Sequence, residues 1–227
     1  LTIRGTLLAR GSAEQPVTFT SNQTTPKAGE WVGIEFVDSS RDAEYDANEN
    51  YLRGSMIQHT VIEYAGKNGN TSVAAVNTKG ASPYIDHTTI QNNQGEGVNI
   101  NGKTIHFTNN QVLSNLGTGI YINHCQGDGS GLIDTIIHKN IVSNNKDSGI
   151  IIYTTGDCNP IISENVITNN SNNRINALAG GIHCEGPSIG RPIFTLINNT
   201  VSNNSTLACG GGVKLRWTQY HALQGNL

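Results

Sequence analysis

The chain has 227 residues, of which 36% are hydrophobic and only 14% charged, with a formal net charge of −3. That balance leaves no basic footprint for nucleic acid, and no apolar run approaches the ~20 residues of a membrane-spanning helix. Glycine at 26 and asparagine at 29, beside few Leu and Lys, argue against a helical bundle, and the regular short blocks of Ile and Val argue against disorder.

In chain order, residues 1–4 read as strand rather than as a start, and residues 222–227 as a coil cut partway, so both ends are expected to continue in a larger protein. Extended segments at 5–12 and 16–21 lead to a block in which Ile34 and Phe36 alternate with Glu35 behind Gly33. Residues 38–54 are the most charged stretch and are expected to form an acidic loop insertion. Within it Asp42, Glu44, Asp46 and Asn48 alternate oxygen ligands as a calcium loop does, but Ala47 stands where an EF-hand needs Gly, and Arg53 where it needs Glu. Two readings therefore stand for Asp42, Glu44 and Asp46: a calcium site, or a solvated acidic turn.

From residue 60 onward two kinds of block alternate. The first, (Asn/Thr)-x-(Val/Ile)-x-x-x, occupies 60–65, 88–93, 110–115, 140–145, 165–170 and 199–204; its apolar anchors are 28, 22, 30, 25 and 34 residues apart. The second reads in-out-in at 74–76, 97–100, 119–122, 149–152, 181–184 and 212–215. A fixed motif on a variable period means equal coils interrupted by loops of different length. One inward file is expected to run Ile34, Ala74, Val98, Ile120, Ile150, Ile182, Val213, and the next Phe36, Val76, Ile100, Ile122, Ile152, Cys184, Leu215. Asn110, Asn140, Asn165 and Asn199 share one register; Asn93, Asn115, Asn145, Asn170 and Asn204 share another. At a strand spacing of ~4.8 Å such amides can form ladders from coil to coil, and asparagine suits left-handed corners. The expected fold is all-β: a parallel β-helix, a solenoid of roughly seven coils spanning 1–227 with no globular second domain.

The opening segments 5–12, 16–21 and 29–36, together with the later Asn-x-(Val/Ile)-x-x-Asn blocks, resemble bacterial secreted or surface proteins with right-handed β-helix repeats, of the pectin-lyase-like superfamily. The resemblance covers nearly the whole chain. It implies a right-handed helix and an extracellular or cell-surface location. It does not choose an activity, because that superfamily holds polysaccharide lyases, hydrolases, epimerases, tailspikes and adhesins. Lyases of this kind carry an Arg-x-Pro or similar basic motif beside clustered Asp. Here Arg191 and Pro192 match only in outline, and Asp134, Asp147, Asp157 and Glu164 fall in different registers. No two carboxylates stand at successive outward positions of one strand, as a hydrolase needs.

The outward positions of the in-out-in blocks bring Tyr121, Tyr153, His183, Glu185, Lys214 and Arg216 to one face, with Glu185 beside Arg216 and His183 beside Lys214. Rings and charges in that mixture suit a sugar chain; a solvated strand face with cross-strand ion pairs is the plainer reading. A further column, His59, His87, Asn109, Lys139, Glu164 and Asn198, stacks two histidines that suit a transition metal or, more simply, a turn. Cys125 and Cys158 follow successive strands and are candidates for a coil-to-coil disulfide, Cys184 is expected as a buried thiol, and Cys209 has no assigned partner. Three functions compete: a module that binds polysaccharide or serves a structural role, a polysaccharide lyase, hydrolase or epimerase, and a surface-layer or filament scaffold associating end to end.

Overall fold

The computed structural model describes residues 1–102, 105–125, 135–154, 158–173, 178–187, 192–207, 210–217 and 220–226, the side chains of 124, 125 and 220–222 aside. Among these the fold is a right-handed parallel β-helix with three long sheets of eight, eight and seven strands. The first sheet stacks Thr2–Ile3, Ile34–Val37, Val76–Lys79, Val98–Asn101, Ile120–Cys125, Ile150–Thr154, Ile182–Glu185 and Val213–Arg216. The second stacks Leu8–Arg10, Met56–Gln58, Tyr84–Asp86, His106–Thr108, Ile136–His138, Ile161–Ser163, Ile193–Ile197 and Tyr220–Gln224. The third stacks Val17–Phe19, Thr60–Glu63, Thr89–Gln91, Gln111–Leu113, Ile141–Ser143, Val166–Thr168 and Thr200–Ser202.

The two sequence blocks are the strands of the first and third sheets. Ile120 pairs with Ile150 and Ile150 with Ile182, in one continuous inward file. The anchors Ile62, Ile90, Val112, Val142, Ile167 and Val201 form another. One coil is out by two residues from the sequence expectation: Val76, not Ala74, pairs with Ile34 and Val98, and Thr78, not Val76, follows Phe36. The reason is that Ala75 occupies the register held elsewhere by Gly33, Gly97 and Gly119, immediately before the strand. The column of outward residues shifts with it, so that Asn77 and not Ala75 lies between Glu35 and Asn99.

The second sheet carries a motif that the block reading passed over, an apolar residue three before each ladder position. Ile57, Ile85, Phe107, Ile137, Ile162 and Leu196 are its inward file, and all are buried. Together the three files close one apolar core, whose largest fully buried side chains include Phe36, Phe107 and Phe194.

The asparagines form two ladders inside the corners. Asn140 donates from both its backbone N–H (2.9 Å) and its Nδ2 (2.9 Å) to Asn165 Oδ1, and from Nδ2 to Phe107 O (2.9 Å). Asn145 repeats the pattern with Asn170 Oδ1 and Val112 O. The left-handed conformation falls one residue earlier than expected. His59, His87, Asn109, Lys139, Glu164 and Asn198 hold it before one ladder, with φ between 46° and 56°. Tyr64, Asn92, Ser114, Asn144, Asn169 and Asn203 hold it before the other, with φ between 55° and 60°. Each ladder amide therefore satisfies buried backbone groups, which is why the corners tolerate such varied left-handed residues.

Candidate functional site

The last four strands of the first sheet build the site. Parallel pairing sets Tyr121 against Ile151, Ile151 against His183 and His183 against Lys214, and Tyr153 against Glu185 and Glu185 against Arg216. A register shift between Ile122 and Cys125 interrupts the ladder beside Tyr153. The result is a file of rings: Tyr121 and Tyr153 meet edge-to-face at 5.9 Å, and Tyr153 and His183 do so at 5.9 Å. Such geometry is favourable for aromatic quadrupoles and fixes the ring planes.

Behind the rings runs a polar chain. His183 Nε2 lies 3.2 Å from Glu185 Oε2, and Arg216 Nη1 lies 3.6 Å from Glu185 Oε1. The Arg216 guanidinium sits 3.9 Å over the ring of Trp217, an exposed aromatic absent from the outward columns of the strand reading because it follows the strand. The sequence did carry a signal for it, a tryptophan immediately after the basic end of a strand.

His183 does not present itself to solvent as an outward column implies: its side chain is 0% exposed. Burial pushes its pKa down, outweighing the opposing pull of Glu185, and Lys214 and Arg216 push the same way. The imidazole is therefore neutral near pH 7, and its buried Nδ1 has no hydrogen-bond partner among the described residues. Burial also raises the Tyr121 and Tyr153 phenols, with Glu96 adding to the first and Tyr121 and Glu185 to the second. The groups able to touch a ligand are the half-buried Tyr121, Tyr153 and Lys214 and the exposed Arg216 and Trp217. His183 and Glu185 stand behind them and orient Tyr153 and Arg216.

The remaining candidates lie elsewhere. Residues 38–54 form a hairpin, Glu44–Tyr45 against Tyr51–Arg53. Its carboxylates do not converge: Glu44 binds Arg53 at 2.6 Å, Asp46 accepts from the Asn48 and Asn50 amides, and Asp42 accepts from Ser82 N. Among the described residues no group of three His, Cys, Asp or Glu is placed to hold a metal. The hairpin instead closes an aromatic cluster on the second sheet, with Tyr45 stacked on His106 at 4.0 Å and Tyr51 on Tyr84 at 5.5 Å. His59 and His87 are neighbours, their rings 4.8 Å apart and tilted by 33°, but His87 Nδ1 is taken by Asp86 at 2.6 Å. Cys184 is a buried free thiol and Cys158 is disulfide-bonded. The Cys125 side chain, Cys209, Asp134, Asp157 and Arg191 lie outside what the structure describes.

Comparison with known proteins bears on the architecture. No curated protein matches the sequence significantly. Among solved structures, a mutant of the periplasmic alginate epimerase AlgG is similar over 94% of this chain at 12% identity, with a TM-score of 0.39, and the chain spans 65% of that one. Residues 17–187 match the family model described as a right handed beta helix region, and the chain accordingly belongs to that family.

Proposed function

We propose that the chain is a carbohydrate-binding β-helix module of an exported protein, holding a polysaccharide strand on the outer face of the first sheet. The observation that carries this reading is the fixed file Tyr121–Tyr153–His183 leading to Glu185 and Arg216. Tyrosine rings take the apolar faces of sugars, while Lys214 and Arg216 take hydroxyls or carboxylates. The disulfide at Cys158 supports an oxidising compartment. Affinity electrophoresis through gels containing polysaccharide tests the reading. Tyr153→Ala and Arg216→Ala should each weaken retention severalfold, and full retention by both variants rejects the face as the site.

A second reading, cleavage or epimerisation of a uronate chain, is favoured by one observation. The neutral, buried His183, its Nδ1 without a partner among the described residues, packs against the half-buried Tyr153 and bonds Glu185. His183 is itself enclosed, so on this reading proton abstraction falls to the half-buried Tyr153 phenol, whose ring His183 packs against and positions. Incubation with uronate polymers, with and without calcium, separates the readings. An ultraviolet-absorbing unsaturated product, or a change in uronate configuration, that Tyr153→Phe abolishes makes the face catalytic. Retention with unaltered polymer leaves it a binder.

A further inference from the structure

The hairpin at 38–54 and the outer face of the second sheet enclose a groove of about 350 Å³, within the range of small-ligand sites. Leu8, Arg10, Arg41, Tyr51, Leu52 and Arg53 line it. Leu8 and Arg10 flank the buried Ala9, so they point outward from the sheet and not along its edge. Three arginines thus line one small cavity. Glu44, outside the lining, pairs with Arg53 at 2.6 Å and with Arg41 at 3.7 Å and offsets one of the three positive charges, so the groove keeps a cationic excess. Arg10 makes no ion pair or hydrogen bond with any described residue. The walls are of another character: Leu8 and Leu52 are 64% and 59% exposed, and the Tyr51 ring is held by Tyr84 and by its hydroxyl donating to Gly54 O at 2.7 Å.

We propose that this groove is a second binding site, for an acidic sugar whose carboxylate is held by Arg10 and Arg41. A guanidinium fork matches the two oxygens of a carboxylate. The apolar C–H face of a pyranose covers Leu8, Leu52 and the fixed tyrosine, surface that a bare anion leaves wet. The site is on a different sheet from the Tyr153 face and at the opposite end of the stack, its Leu8–Arg10 strand being first in order and Val213–Arg216 last. Two sites so separated let one acidic polymer strand engage the molecule twice and gain avidity without a new contact.

The test uses the full chain carrying Tyr153→Ala and Arg216→Ala, titrated calorimetrically with galacturonate trimer. Binding should persist in this background and fall at least tenfold when either Arg10→Ala or Leu52→Asp is added. Both residues are exposed, so circular dichroism should be unchanged. Raising the salt concentration should weaken binding, the methyl-esterified trimer should bind at least tenfold less tightly, and inorganic phosphate should compete only weakly. No binding in the double variant, indifference to Arg10→Ala, or phosphate competing as well as the trimer overturns the proposal. The last outcome would show an anion hole with no use for a sugar ring. Loss of the Tyr153 face reads out separately, as wild-type retention that Tyr153→Ala and Arg216→Ala do not alter.

Discussion

At the scale of single residues, Asp86 governs a corner of the second sheet. Its carboxylate, 3% exposed as a residue, accepts from Gln58 Nε2 (3.0 Å), Thr108 Oγ1 (2.7 Å) and Asn109 Nδ2 (2.9 Å), and shares a 2.6 Å bond with His87 Nδ1. Burial by itself would raise the carboxyl pKa; the four partners outweigh it and hold the group below its ordinary value. A depressed folded-state pKa stabilises the fold above the unfolded value of about 3.9 and ceases to do so as pH falls through the folded value. Urea titrations across pH should therefore show an acid limb below about pH 4 that Asp86→Asn flattens. Asp86→Ala should cost about 2 kcal/mol at neutral pH, because it leaves the half-buried Gln58, Thr108 and Asn109 donors without their acceptor. An acid limb identical in wild type and Asp86→Asn would place its origin elsewhere. Cys184 gives a simpler residue-scale expectation. Burial pushes its thiol up, so a thiol reagent should label it only on unfolding.

At the scale of the element, a coil is specified by its corner amide and by the small residue before its first-sheet strand. Asn145 Oδ1 accepts from the N–H and Nδ2 of Asn115, both at 3.0 Å, while its own Nδ2 donates to Val112 O and Asn170 Oδ1. Asn145→Ala should cost about 3 kcal/mol by denaturant unfolding, since buried backbone groups lose their partners. Its neighbour Asn144 is exposed and left-handed, so Asn144→Gly should be close to neutral. Equal effects at the two positions would mean that the ladder adds nothing beyond turn geometry. The Gly119 case is steric: a Cβ there would lie 2.7 Å from Gly149 O and 2.6 Å from Val142 Cγ1. The coils approach that closely because Ile120 N–H donates to Gly149 O at 2.9 Å.

At the scale of the whole molecule, each long sheet is a stack in which a strand pairs only with the coils before and after it. Stability in such a solenoid is close to a sum of neighbour terms, so a cross-link matters most where it ties a long segment to the stack. Reduction should therefore lower the urea midpoint, by an amount equivalent to about 3 kcal/mol, through loss of the Cys158 disulfide. A midpoint that does not move on reduction would assign that bond no part in stability. The same one-dimensional order explains the reach of the surface: parallel pairing repeats an outward position every strand, about 4.8 Å apart, so a file of side chains tracks an extended polymer.

Local pattern by itself determined the coils. Ile and Val at fixed distances from an asparagine sufficed to assign the first and third sheets and the files through Ile150 and Ile167, because an inward position must be apolar in every coil. The pairing of Glu185 with Arg216 was legible for the same reason, since strand register carries outward positions with it. The two-residue slip at Val76 was not, because Ala74 and Ala75 are too small to mark a face. Only tertiary structure decided that His183 is enclosed, that Asp42, Glu44 and Asp46 turn to separate partners, and that Tyr51 joins Arg10 in a groove. Those facts depend on what loops and hairpins of unequal length fold over a sheet. The repeat says nothing of that, since a loop's path is set by the surface it finds and not by the period that it interrupts.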